Sequence, residues 1–166
     1  MDDMAMDFVF RNFRSEDLPV IKRLTVESFC DVSIDRNIEA FFGTINQRDW
    51  QWRKARQIDD DLTRECAAIF VVELASQVIG YITTWIDREG GIGFIPNLAV
   101  DVEQRGNGLG RRLIERALEH FRVQGVRHVR IETLDQNEIG HHLYPSLGFR
   151  EVARQIHYCM EIDEMF

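Results

Sequence analysis

A chain of 166 residues and 19.5 kDa, 45% hydrophobic and 29% charged, has the length and apolar content of one domain with a sizeable core, which excludes a disordered chain or a multidomain machine. Lys plus Arg number 20 against 28 for Asp plus Glu, so the formal charge is -8 and the pI near 5.1, and no overall attraction to nucleic acid or to an anionic membrane is expected. Cys30, Cys66 and Cys159 are odd in number, lack CxxC spacing and stand beside apolar residues; they read as buried free thiols suited to a reducing cytoplasm. Residues 1–7 are acidic, unlike a signal or transit peptide, and the longest apolar stretch, 66–72, is too short to cross a bilayer.

Residues 8–14 alternate as a strand, and Ser15 is placed to cap a helix in which Leu18, Ile21, Leu24, Val26 and Phe29 recur at helical spacing. Residues 31–65 mix polar, charged and aromatic side chains and read as one or two helices with loops, helical spacing being clearest over 46–59. The β-branched, apolar runs 67–73 and 78–86, on either side of Ala75-Ser76-Gln77, predict a hairpin, and a second turn at 87–91 leads into a strand over 92–100. Beyond a Gly-rich loop, Leu109, Leu113, Ile114, Ala117, Leu118 and Phe121 trace one face of a long helix that Gly125 ends. Residues 126–133 predict a strand, 138–147 a short helix closed by Gly148, and 149–162 two extended segments or one bent one. The order β-α-α-β-β-β-α-β-α-β-β, without repeat, low-complexity tract or linker, predicts a single mixed α/β domain over residues 1–166.

The stretch Asn97-Leu98-Ala99-Val100-Asp101-Val102-Glu103-Gln104-Arg105-Gly106-Asn107-Gly108-Leu109-Gly110-Arg111-Arg112 reads as strand, turn and helix start. Glycines at alternate positions let several N–H groups converge without a Cβ in the way, and such a concavity on a helix's positive end binds phosphate. From Gln104 to Arg130 seven arginines stand against two glutamates, a local charge of +5 that leaves -13 for the remainder. The acidic net figure therefore conceals a cationic segment, with surroundings suited to a cationic acceptor.

Three phosphate binders compete for this loop. A P-loop needs GxxxxGK, and the lysine is missing. A dinucleotide fingerprint, GxGxxG, is closer, since a strand follows the helix and Glu132 lies where a ribose-binding acid would; yet the glycines run GxGxG, and five residues separate Val100 from Gly106. The third pattern, Arg/Gln-x-x-Gly-x-Gly/Ala, is matched by Arg105-Gly106-Asn107-Gly108-Leu109-Gly110.

With Asn97-Leu98-Ala99-Val100 before it, Leu113-Ile114 after it, Asn137 opening the later helix and Leu143-Tyr144-Pro145-Ser146-Leu147-Gly148-Phe149 beyond, the loop closely resembles the GCN5-related N-acetyltransferase superfamily. The likeness is specific over 97–149; Arg14-Ser15-Glu16-Asp17-Leu18 shares it weakly and 31–65 carries none. It implies a central, mostly antiparallel sheet of six to seven strands, splayed between the fourth and fifth and flanked by helices. It also implies that the backbone amides of Arg105, Gly106, Asn107, Gly108, Leu109, Gly110 and Arg111 hold the pyrophosphate of coenzyme A, while Leu98, Ala99 and Val100 form the cofactor-binding strand, Leu98 and Val100 offering main-chain groups to pantetheine. Pro96, which lacks an N–H, fits a break or bulge there, or simply a strand start.

By the same resemblance, Tyr144 stands near the thioester sulfur as general acid, with a packed aromatic as the plain alternative, and Asn137 bonds the cofactor or simply caps its helix. Many members carry a base on the fourth strand, but Gly93-Phe94-Ile95-Pro96-Asn97 contains no carboxylate; a water chain is expected instead, with Asn97 orienting one water. Carbonyl polarisation falls to a backbone N–H near Val100. His141, three residues before Tyr144, is a further candidate for the site, and no cluster has metal-ligand spacing, so no metal is expected.

Phe29, Phe41, Phe42, Trp50 and Trp52 are candidates for the acceptor pocket, with core packing as the plainer reading. Trp50 and Trp52, two apart, point to opposite sides of a helix. Asp59-Asp60-Asp61 either attracts a cationic amine or forms a solvated face. The resemblance implies an acyl-CoA-dependent N-acyltransferase moving acetyl from acetyl-CoA to a primary amine by direct attack in a ternary complex, in the cytoplasm, from a family in which homodimers are common. The alternatives are a non-catalytic acyl-CoA-binding module that regulates a partner and a dinucleotide-binding domain.

Overall fold

The computed structural model describes residues 7–162; the reading of residues 1–7 falls, but for Asp7, outside them. β1 (Phe8–Asn12) is followed by a 3-10 turn, Ser15–Asp17, and only then by α1 (Leu18–Ser28), so Ser15 sits inside the turn and does not cap the helix. The turn is closed by Asp17, whose Oδ2 accepts the Arg14 N–H at 2.7 Å. Two helices occupy the stretch that carried no family likeness: α2 (Ile34–Phe42), capped by Ser33, and α3 (Trp50–Leu62), capped by Asp49 Oδ1, which accepts the Trp52 N–H at 2.8 Å. That cap moves α3 toward the C-terminus of the segment expected from spacing.

β2 (Ala68–Leu74) and β3 (Gln77–Asp87) form the expected hairpin, with Ala75 and Ser76 both at positive φ, the conformation that matches a two-residue turn to strand twist. The expected strand over 92–100 is two strands, β4 (Ile92–Ile95) and β5 (Leu98–Val100), parted at Pro96-Asn97. α4 (Leu109–Val123), β6 (His128–Ile131) and α5 (Glu138–Ser146) follow.

The six strands run β1-β2-β3-β4-β6, with β5 on β3 beyond the end of β4. All pairs are antiparallel except β4–β6, which excludes the doubly wound parallel sheet of a dinucleotide-binding domain. α1 and α3 cover one face through Ile21, Leu24 and Ile58 against Val71, Tyr81 and Ala99; α4 covers the other through Leu113, Ile114 and Phe121 against Val72 and Ile82. Gly93 is required at its place in β4, since a Cβ there would lie 2.5 Å from the Phe121 ring.

Two further expectations are corrected. Residues 149–162 form no strand: Val152, Ile156, Tyr158, Met160 and Ile162 alternate as a strand would, but all are exposed, and none of them enters a ladder with a described strand. Alternation alone does not make a strand without a neighbour to supply the hydrogen bonds. The cysteines are free but not buried, Cys66 and Cys159 being exposed and Cys30 half-buried, because Cys66 falls in the turn before β2 and Cys159 in that unpaired segment. Among the described residues no helix is long and apolar enough to cross a membrane.

Candidate active site

β4 and β5 lie on the same edge of β3, one after the other. β4 is paired on its far side by β6, whereas among the described residues β5 has no partner there, so the sheet is zipped at β4–β6 and open at β5, the splay expected between the fourth and fifth strands. Strand alternation decides which groups the opening exposes. The Asn97 carbonyl accepts from Thr83 N and the Asp101 N–H donates to the Ile79 carbonyl, so odd positions face β3 and the even ones, Leu98 and Val100, face the gap. Ser28 Oγ reaches the Val100 carbonyl at 3.3 Å, which leaves both groups of Leu98 and the N–H of Val100. Ala99 is turned the other way, its backbone toward Tyr81 and its side chain into the α1–α3 core.

At the end of β5 the chain turns through Val102–Gln104 and enters α4 from Gly108, whose φ of 72° is the left-handed region that glycine occupies without strain. A glycine at this position has no side chain to cap the helix, and none caps it, so the first N–H groups of a 15-residue helix, those of Leu109, Gly110 and Arg111, lack intrahelical acceptors. A Cβ at Gly106 or Gly108 would meet nothing within 4 Å; the turn frames open space. These residues fit an anionic group such as a pyrophosphate: unsatisfied donors, a helix's positive end, and room where side chains would stand. Arg111 Nη2 donates to Ser146 Oγ at 2.6 Å, tying α4 to α5, and Arg112 lies over the Phe10 ring on the sheet side.

α5 closes this region. Leu143 lies against Gly110, and Tyr144, like Leu98 and Val100, packs against the buried cluster that contains Leu109, its ring edge toward Phe149. Burial raises the Tyr144 phenol above its ordinary value, and its hydroxyl makes no hydrogen bond among the described residues. Asn137 caps α5: its Oδ1 accepts the Gly140 N–H at 3.1 Å and its Nδ2 donates to Thr133 Oγ1 at 2.7 Å. His141 instead turns to the Asp135 carbonyl, 3.0 Å away.

The far side of the splay joins two residues the sequence singled out separately, Asn97 and Asp61, to two that it did not, Lys54 and Thr83. Lys54, Asp61, Thr83 and Asn97 are all buried and joined: Lys54 Nζ donates to Asn97 Oδ1 at 2.9 Å, Asn97 Nδ2 to Asp61 Oδ2 at 2.7 Å, and Thr83 Oγ1 to the same oxygen at 2.8 Å. Burial dominates both titrations, pushing Lys54 down to about 8 and Asp61 up from the usual carboxylate range. The signal was present in the sequence, because Trp50, Lys54, Ile58 and Asp61 form one helical stripe. Asp61 is thus not part of a solvated face, although Asp60 and Asp59 are less enclosed.

A cavity opens beside this cluster, lined from α3 by Gln57, Asp61 and Arg64, at the strand break by Pro96 and Asn97, and past β6 by Glu132. Its aromatic wall is Trp85 stacked on Phe94 at 4.1 Å, not the expected set. Of that set, Trp50 is core, Trp52 and Phe41 are exposed, and Phe29 lies under Lys54. Among the described residues no three His, Cys, Asp or Glu side chains converge as a metal-binding group.

Comparison with known proteins gives this geometry its context. A mycothiol acetyltransferase of Thermobispora bispora is 29% identical over 127 residues, 74% of this chain and 43% of that protein. An uncharacterized N-acetyltransferase of Methanocaldococcus jannaschii is 25% identical over 164 residues, covering 88% of this chain and 70% of its own. The chain thus spans under half the length of the mycothiol acetyltransferases it matches first, 43% and 37% of them. Among solved structures, the PaiA N-acetyltransferase of Thermoplasma acidophilum in complex with coenzyme A superposes with a TM-score of 0.70 at 19% identity, over 87% of this chain and 91% of that one, a likeness of fold. The family model described as Acetyltransferase (GNAT) family matches residues 33–149, well over half of the sequence, and the chain belongs to that family.

Proposed function

We propose that the chain is an acyl-CoA-dependent N-acyltransferase that moves acetyl from acetyl-CoA to a primary amine by direct attack in a ternary complex. The observation that carries this reading is the juxtaposition of a free strand edge at Leu98 and Val100 with the uncapped N-terminus of α4. The first suits the amide-bearing arm of coenzyme A, the second its pyrophosphate. The thioester supplies an activated acetyl group. The backbone of Arg105 through Arg111 binds the diphosphate, Leu98 aligns the pantetheine arm, and an edge N–H polarises the acetyl carbonyl. Asn137 keeps one Nδ2 hydrogen for the coenzyme while capping α5.

Tyr144 is assigned the general acid. A thiolate leaves when the amide forms, and a phenol whose pKa burial has raised still holds its proton at neutral pH, ready to donate. Thiol release from acetyl-CoA across a panel of amines, with calorimetry for acetyl-CoA and NAD, tests the reading. Turnover with at least one amine and binding of acetyl-CoA are expected. Binding without turnover on the whole panel would turn the conclusion toward a regulatory acyl-CoA-binding module, and indifference to acetyl-CoA would end it.

A further inference from the structure

Asp61 is 7% exposed, and both of its donors, Thr83 Oγ1 and Asn97 Nδ2, reach one oxygen, Oδ2. Among the described residues no donor reaches Oδ1, on a residue that lines the cavity. Oδ1 is not sealed in: it opens to the cavity, the one direction from which an ammonium can reach a carboxylate whose remainder is buried. Lys54 is not that cation. Its ammonium is spent on Gln57 Oε1 at 2.8 Å, Asn97 Oδ1 at 2.9 Å and the face of Phe29 at 3.9 Å. Arg64 lies over Trp85, and Arg130 over Phe94 with its ion pair to Glu132.

We infer that Asp61 is the catalytic base of the reaction proposed above, Oδ1 receiving the acceptor's ammonium through the cavity and taking one proton from it. The inference rests on that reading of the function. Asn97, whose side chain holds Asp61, immediately precedes Leu98, so the carboxylate stands one side chain away from the free edge. Asn97 therefore orients a carboxylate where a water was expected.

The step balances. The substrate ammonium gives one proton to Asp61; the neutral nitrogen forms a bond to the acetyl carbon as the carbon–sulfur bond breaks. Tyr144 protonates the leaving sulfur and becomes a tyrosinate; the second proton, lost from the nitrogen after attack, passes through solvent to restore it, and Asp61 returns its own proton to solvent through the cavity, so one proton is released per turnover. The groups facing Asp61 are Lys54, Asp60 and Arg64 of α3, Asp35 of α2 by way of Gln57, Tyr81 and Thr83 of β3, and Arg130 and Glu132 from the β6 side. Burial outweighs the hydrogen bonds and cations among them and lifts the carboxyl toward the range where a base works well.

The decisive measurement is the pH dependence of kcat/KM for the wild-type chain with an acceptor of pKa about 10. With Asp61 as base the reactive pair is carboxylate plus ammonium, so kcat/KM is level between the Asp61 pKa and the acceptor's. With no base only the free amine reacts, and kcat/KM climbs about tenfold per pH unit toward pH 10. Asp61→Asn is expected to convert the plateau into that climb, losing more than about tenfold near pH 7 for this acceptor and far less for one of pKa about 7, with acetyl-CoA affinity unchanged. A climbing wild-type profile, or a plateau surviving in Asp61→Asn, overturns the inference while the acetyltransferase reading stands. Absence of wild-type turnover on every amine overturns both. Should Asp61→Asn fail to fold, the wild-type profile decides alone.

Discussion

The two sides of the splay are built in opposite ways. On the α4 side the chain leaves backbone groups unsatisfied and open, at Leu98, Val100 and the first turn of α4, and uses glycine to keep side chains away. On the α3 side it buries side-chain charge and satisfies almost every atom, with Lys54, Asn97, Asp61 and Thr83 locked to one another. An open backbone site recognises an anion whatever its neighbours, since N–H groups and a helix end are the same in every chain. A buried side-chain cluster, by contrast, is particular to the residues that compose it.

If that contrast is right, equal substitutions on the two sides have unequal costs. Asn97→Leu removes the amide that both Lys54 and Asp61 contact, and leaving two buried charges short of a partner is expected to cost about 3–5 kcal/mol of stability, read by urea unfolding. Asn107→Leu, at the exposed turn, is expected to stay within about 0.5 kcal/mol. Similar midpoints for the two variants would mean that the cluster carries no more of the fold than the loop does.

Coenzyme binding should answer to the other side. Gly108→Val forces a β-branched residue to a φ of 72° and puts a side chain into the open space of the turn. Strain of about 1–2 kcal/mol and a blocked concavity together predict about a hundredfold weaker acetyl-CoA binding by calorimetry, with the acceptor's KM little changed. Unaltered affinity would remove the turn from the diphosphate site.

How far each side is visible in the sequence follows from the same difference. Gly106 and Gly108, both at positive φ, answer to backbone geometry, which is local, and so the turn and the helix start at Leu109 are legible from the order of residues alone, whereas the open strand follows only from the family resemblance. Pro96 marks the strand break for the same reason. The polar cluster joins α3, β3 and the break, residues up to 43 apart in sequence, and only tertiary packing reveals that Lys54 and Asp61 share the stripe of Trp50 and Ile58. Ending the expected helix at Asp59 hides the last member of that stripe. The tail over 149–162 misleads in the opposite sense, its alternation being local and its missing ladder partner not.

The buried side should also carry a pH signature. Burial places the Lys54 pKa at about 8, below its ordinary 10.5, so the folded state holds fewer protons than the unfolded between those values and stability from this group rises as pH goes from about 8 to about 10.5. The rise is on the order of 2–3 kcal/mol, absent below pH 8, where both states keep the proton. Unfolding at about pH 7.5 and about pH 10, compared with Lys54→Met, isolates it. An identical difference in the two proteins would show that Lys54 is not buried in its charged form.

Tyr144 belongs to the open side by position but offers a side chain, and it makes the finest test of the division. If it donates to the leaving sulfur, Tyr144→Phe keeps the ring's packing against the apolar cluster and deletes only the proton, so kcat is expected to fall about tenfold, near 1.4 kcal/mol, while acetyl-CoA affinity and stability hold. Since burial raises the phenol's pKa, wild-type activity should also persist well into the alkaline range before the acid is lost, and the variant should lack that limb. A normal kcat would make Tyr144 a packing residue. The open side would then act through backbone alone, and the sulfur's proton would have to come from elsewhere.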